Sequence, residues 1–256
     1  MGQGNGKASE VLDSIYLVDF ALVKPVRRWA KFFIAVALLP LCVGMGRALG
    51  ELVQLKGMLD TTFVPLGAGA GCMFLLYHWL AKPMWLYVFG HEFTHAAAVM
   101  ACGGRVKGMK VTNDGGHVLV TKDNFFITLA PYFIPFYSAA VLVVFALGRA
   151  TLGWGGPWAW GVFCWALGMT YAFHILLSWN ILHTRQPDIT SQGYAFSTVV
   201  IFIGNALVLL LALPFLMDGP GVVEIGQTVL DGTLQTFRDL GVWAGSAWAA
   251  GNSALK

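Results

Sequence analysis

Formal charge is missing from four long stretches of this chain. No Asp, Glu, Lys or Arg occurs from Thr61 to Ala81, from Asn124 to Gly148, from Ala150 to Thr184, or from Ile189 to Met217. A bilayer core of about 30 Å is crossed by roughly 20 apolar residues in helical form. Each run is long enough, and the charges are gathered between the runs. Of 256 residues, 11% are charged and 57% hydrophobic, against roughly 25% charged in a typical soluble domain. Mean hydropathy is +0.68. The chain reads as a membrane protein rather than a soluble domain with buried core helices.

The net charge of +3 does not indicate a nucleic-acid partner, because the basic residues are scattered. One small cluster, Lys24, Arg27, Arg28 and Lys31, precedes the first apolar run, where the positive-inside rule places a cytoplasmic anchor. A signal peptide over Phe32 to Gly46 is the competing reading. Helical patterning upstream and the interruption at Arg47 count against it. Cys42, Cys72, Cys102 and Cys164 lie at wide spacings in or beside apolar segments, which reads as buried thiols rather than a disulfide framework.

The expected fold is an all-α polytopic membrane protein of about five to six transmembrane helices with a small β-hairpin. Residues 1–30 form an N-terminal cytoplasmic or interfacial lead, 31–218 the membrane domain, and 219–256 an amphipathic tail. Apolar segments fall near 32–50, 63–81, 83–102, 125–148, 157–183 and 194–217. Lys82-Pro83 marks a new helix or a sharp kink, since proline suits a helix's first turn. Gly103-Gly104 ends that helix. Residues 105–123 then place strand-forming residues around Asn113-Asp114-Gly115-Gly116, a hairpin signature.

The chemistry is carried by His91-Glu92-Phe93-Thr94-His95. Residues four apart share a helix face about 6 Å apart along the axis, so two imidazoles can reach one Zn²⁺. The glutamate beside the first histidine can then serve as general base towards water. Glu92 is also the only formally charged residue between Lys82 and Arg105. An ionisable group inside an apolar helix is costly and points to function. The bland alternative is a buried carboxyl paired with a core histidine.

Catalytic zinc keeps three protein ligands and an open position, so a third must come from elsewhere. Candidates are Asp114, His117, Asp123, His174, His183 and Asp188. Asp188 is the sole carboxylate between Asp123 and Asp218, in the segment Gln186-Pro187-Asp188-Ile189. Proline disfavours helix at the preceding residue, so a non-helical break is expected there. Irregular backbone at membrane depth belongs where it lines a wet cavity. A solvent-facing loop or helix N-cap is the alternative for Asp188. Lone membrane histidines such as His78 and His174 read as satisfied core residues.

The order HEFTH, hairpin, span, span and Asp188, with Asp188 93 positions after His95, resembles the site-2 proteases, the intramembrane zinc metalloproteases. The resemblance covers roughly Pro83 to Met217. It implies His91, His95 and Asp188 as zinc ligands and Glu92 as catalytic base. The family places an asparagine eight residues before its aspartate, which falls on Asn180 and implies a role in holding the substrate or stabilising its carbonyl. An interhelical hydrogen bond is the other reading of a membrane asparagine. Ile189 follows Asp188 where the family has glycine, and His183 stands where it has proline. Gly115-Gly116-His117-Val118 is similar to the family's Gly-Gly-aromatic hairpin segment. The chain thus resembles a compact, divergent member.

The expected function is hydrolysis of peptide bonds in membrane-embedded protein substrates, by zinc-activated water with Glu92 as base. The hairpin would pair with an extended substrate by β-augmentation. Arg105, Lys107, Lys110 and Lys122 place it on the cytoplasmic side. Three full crossings before it would put it outside, whereas 63–102 as one kinked or re-entrant unit puts it inside. A non-proteolytic zinc-binding membrane protein and a small transporter are the rival classes. Retention of Glu92 opposes the first, and the lack of an inverted repeat opposes the second. The expected setting is a multi-pass protein of a bacterial cytoplasmic membrane, of unassigned oligomeric state.

Overall fold

Apolar runs free of charge have one way to satisfy their backbone in lipid, the helix, and they take it. A computed structural model describes residues 25–56, 60–80, 82–113, 115–182, 186–217 and 220–254. The lead before residue 25 lies outside the described residues, as do Asp114 and His183.

In chain order the elements are α1 (Pro25–Lys56), α2 (Phe63–Trp79), α3 (Met84–Ala101), β1 (Val106–Thr112), β2 (Gly115–Val120) and α4 (Phe125–Leu129). A 3₁₀ turn (Ala130–Tyr132) follows, then α5 (Phe136–Leu152), α6 (Gly156–Leu182), α7 (Pro187–Gln192), α8 (Tyr194–Met217) and α9 (Val222–Ala254). The result is a helical fold carrying one two-stranded antiparallel sheet.

Among the described residues, three helical segments are long and apolar enough to cross a membrane: Arg28–Gln54, Gly156–Leu182 and Tyr194–Pro214. A fourth arises if Phe125–Tyr132 and Phe136–Leu152, which meet at 74°, count as one broken span. The expected count of five to six also included α2 and α3. The first has 17 residues. The second has 18, and its His91, Glu92 and His95 lower its hydropathy.

Helix α3 begins directly after Pro83, so Lys82-Pro83 separates it from α2. Gly103, with φ of 75°, turns the chain out of α3. That conformation is open to glycine without a Cβ penalty. The hairpin follows with Thr112 opposite Gly115 and Lys110 opposite His117, and its register slips between Val106 and Gly108.

Two helix pairs frame the site. Helices α2 and α6 touch through glycine: a Cβ on Gly69 would lie 1.9 Å from the Trp165 carbonyl oxygen, and one on Gly168 would lie 2.0 Å from that of Leu66. Small residues permit this backbone approach in membrane bundles. On the other side α1 packs against both α8 and α9, and Arg47 pairs with Asp239 of α9 at 3.5 Å. Between the pairs lies a core of Val99, Ile127, Leu129, Ala130, Tyr132 and Ile189. It ties α3, α4, the 3₁₀ turn and α7 together.

Candidate metal centre

Helix α3 offers His91 and His95 on one face, as the i,i+4 spacing requires. Asp188 arrives from α7: the expected non-helical break is found at Gln186, whose backbone is extended, but it does not reach Asp188. Residues 187–192 form a short helix with Pro187 in its first turn, a position where the missing N–H and fixed φ are tolerated. Asp188 therefore sits in a helical first turn, anchored by its buried neighbour Ile189. Ser197 of α8 donates to the Ile189 carbonyl at 3.2 Å, and Gly193 (φ 90°) turns the chain into α8.

The three side chains converge. Asp188 Oδ2 lies 3.4 Å from His91 Nε2 and 3.5 Å from His95 Nε2. One potential ligand atom from each residue falls within 4.8 Å of the other two. Ligands held tetrahedrally at about 2.0–2.1 Å stand roughly 3.3–3.4 Å apart, so both spacings suit one zinc ion. The tautomers suit it too. His95 Nδ1 contacts the Ile127 carbonyl at 2.9 Å, and a carbonyl only accepts, so Nδ1 carries the proton. That leaves the Nε2 lone pair for a metal. His91 Nδ1 faces the Tyr87 hydroxyl at 3.4 Å.

Burial favours the neutral form of Asp188, but the two histidines that face it outweigh burial and hold the carboxyl well below the usual range. An ionised carboxylate is the form that binds metal. Tyr132 adds a hydrogen bond to Asp188 Oδ2 at 3.1 Å. Glu92 is buried and its carboxylate has no hydrogen-bond partner among the described residues. Gly116 of β2 lies against it, since a Cβ there would stand 2.7 Å from Glu92 Cγ.

The remaining expected residues fall elsewhere. His117 is exposed on β2, and Asp123 accepts from Thr128 Oγ1 at 2.9 Å. His78 is satisfied by the Phe74 carbonyl at 2.8 Å. His174 is buried on α6 beside the Tyr132 carbonyl and the Asn205 side chain, while its Nε2 has no hydrogen-bond partner among the described residues. Asn180, near the end of α6, accepts from Lys82 Nζ at 3.0 Å and does not join the histidine–aspartate group. Sequence reasoning missed Tyr87, Tyr132 and the Ile127 carbonyl. Tyr87 had a readable signal, being one helical turn before His91. Tyr132 lies in an apolar run without any pattern to mark it.

Among the described residues the fold thus offers three to four helices apolar enough to cross a membrane, and a His-Glu-x-x-His helix that meets a distant aspartate. A family model described as Peptidase M50B-like matches residues 67–174. That stretch, less than half of the chain, runs from α2 into α6 and takes in the HEFTH helix and the hairpin but not Asp188; over it the chain is similar to this peptidase family. No curated protein and no solved structure matches the chain.

Proposed function

We propose that this protein is an intramembrane zinc metalloprotease of the site-2 type, cutting membrane-embedded protein substrates. The reading rests chiefly on the convergence of His91 Nε2, His95 Nε2 and Asp188 Oδ2 within 4.8 Å, one residue from the buried carboxylate of Glu92. His91, His95 and Asp188 would hold the zinc. When bound, zinc polarises the attacking water and the scissile carbonyl.

The chain's own groups do the rest. Glu92 takes a proton from the attacking water and passes it to the departing amine. With no hydrogen-bond partner among the described residues, its lone pairs are open to that water. Tyr132 and the Ile127 carbonyl fix Asp188 and His95 in place. Helical carbonyls are shielded by their own hydrogen bonds, so the substrate must be extended to be cut. The hairpin, packed against α3, offers strand edges for such a segment. Asn180 has its oxygen engaged by Lys82, which turns its amide protons towards other acceptors. We assign it a role in holding the substrate.

The deciding experiment is zinc content per chain in detergent, for the wild type, His91→Ala, Asp188→Asn and Glu92→Gln. About one zinc is expected, lost in His91→Ala, weakened in Asp188→Asn and kept in Glu92→Gln. A well-folded wild type that takes up no zinc overturns the reading.

A further inference from the structure

Helix α6 carries two polar atoms that the mechanism above does not use. His174 Nε2 and Ser178 Oγ are buried without a hydrogen-bond partner, in residues only 8% and 4% exposed. They stand four positions apart, so they share one helix face. That face looks towards the candidate metal centre. The Ser178 hydroxyl stands close enough to the Tyr87 hydroxyl to interact with it but outside hydrogen-bond geometry, and the Tyr87 hydroxyl faces His91 Nδ1 at 3.4 Å. His174 lies against the Tyr132 carbonyl and the Asn205 side chain. Asn205 in turn donates to the Tyr132 carbonyl at 2.9 Å, and the Tyr171 hydroxyl reaches Asn205 Oδ1 at 3.4 Å.

Six polar side chains from α3, α6 and α8, with the Tyr132 carbonyl of the 3₁₀ turn, thus meet inside an otherwise apolar bundle. Polar side chains in a membrane bundle are costly unless paired. Two of these have an unpaired atom on the same face, beside a hydroxyl and a histidine nitrogen whose mutual distance of 3.4 Å is long for a hydrogen bond. A buried water needs two to four polar partners and room to sit between them, and this group supplies the partners.

We infer that His174 and Ser178 form a buried water site behind His91, and that this water makes them positioning residues for the metal ligand. Water held by His174 Nε2 and Ser178 Oγ completes the hydrogen bonding of Tyr87 and of His91 Nδ1. It thereby fixes the ring that presents Nε2 to the metal. Partners of this kind orient ligating histidines, and their loss typically weakens metal binding 10–100-fold. The effect on metal rests on the proposed function, whereas the water site does not.

The test therefore has two independent arms on the full chain in nanodiscs. The first is X-ray hydroxyl-radical labelling of the chelator-treated protein, which modifies buried side chains only where water is held beside them. In the wild type, Tyr87 (7% exposed) and Tyr132 (0%) should be modified several-fold faster than the apolar-core residue Phe163, after correction for intrinsic reactivity. The His174→Phe/Ser178→Ala pair should abolish that excess, and His174→Gln/Ser178→Thr should retain it. Wild-type labelling no faster than that of Phe163 overturns the inference, without reference to any variant.

The second arm loads Co²⁺ and reads its visible absorption and its affinity against a chelator. The apolar pair should weaken Co²⁺ binding at least tenfold and change the spectrum, with rescue by the polar pair. Unchanged spectrum and affinity in a folded apolar pair overturn the positioning role. A wild type that labels as expected but binds neither Co²⁺ nor Zn²⁺ sinks the proposed function and leaves the water site standing.

Discussion

The Tyr132 hydroxyl donates to Asp188 Oδ2 at 3.1 Å, joining the 3₁₀ turn to the helix that brings the third candidate ligand. The same oxygen faces both histidines. Tyr132 is fully buried, so it cannot swing away, and it fixes which way the carboxylate points.

Tyr132→Phe should therefore keep the ring's packing and lose the orientation of Asp188. Zinc affinity is expected to fall about tenfold, the lower end for an outer partner of a metal ligand. Stability should fall by about 1 kcal/mol, the net worth of one hydrogen bond. Chelator competition and thermal unfolding in detergent separate the two. An unchanged zinc affinity would show that Asp188 is oriented without Tyr132.

Glu92→Gln probes proton transfer alone, because glutamine keeps the shape and removes the base. Cleavage of a membrane-helix reporter should fall by at least about 10²-fold, the span typical for general base catalysis, with bound zinc unchanged. Reporter cleavage within a few-fold of wild type would remove Glu92 from the chemistry and favour a binding role for the centre.

Much of this architecture is written in the sequence, and for identifiable reasons. The HEFTH spacing forces His91 and His95 onto one face whatever the tertiary fold, and Gly103 and the Asn113–Gly116 turn mark ends that only a few backbone conformations can satisfy. Asp188 could be singled out because it is a lone carboxylate between apolar runs. Its helical setting could not, since Pro187 serves equally as a helix start and a helix break. Tyr132 and Ser178 were illegible because their roles come from contacts between helices far apart in the chain. Periodicity within one segment says nothing about those. The number of crossings was blurred for a related reason: the residues that make α3 functional also make it less apolar.

Gly116 links the hairpin to helix α3. A Cβ there would meet Glu92 Cγ at 2.7 Å, the Lys110 carbonyl at 2.8 Å and Val88 Cγ1 at 2.9 Å. Real Cβ atoms essentially never come so close, so Gly116→Ala must push either the strand or Glu92 aside. Zinc binding should survive, because His91, His95 and Asp188 are not among these contacts. Reporter cleavage should drop at least about tenfold, as small displacements of positioned groups cost that much or more. Gly108→Ala is the control, since its Cβ would find only ordinary contact with Leu119 at 3.7 Å. Equal activity in the two variants would show that the hairpin does not constrain Glu92.

The α2–α6 crossing should be the bundle's most substitution-sensitive joint. At Gly69 the nearest obstacle to a Cβ is the Trp165 carbonyl oxygen at 1.9 Å, and at Gly168 it is the Leu66 oxygen at 2.0 Å. Both are backbone atoms, so no rotamer change relieves the clash and the helices themselves must separate. Inserting even a methyl group into a packed interior costs about 1–3 kcal/mol. Gly69→Ala and Gly168→Ala should each lower the unfolding temperature in detergent, and combined they should cost less than the sum, because one separation of the helices serves both. Gly71→Ala lies on the same helix with nothing within 4 Å and should leave stability unchanged or raise it slightly, alanine being the better helix former. A Gly69→Ala variant as stable as Gly71→Ala would mean that α2 and α6 are not held backbone to backbone.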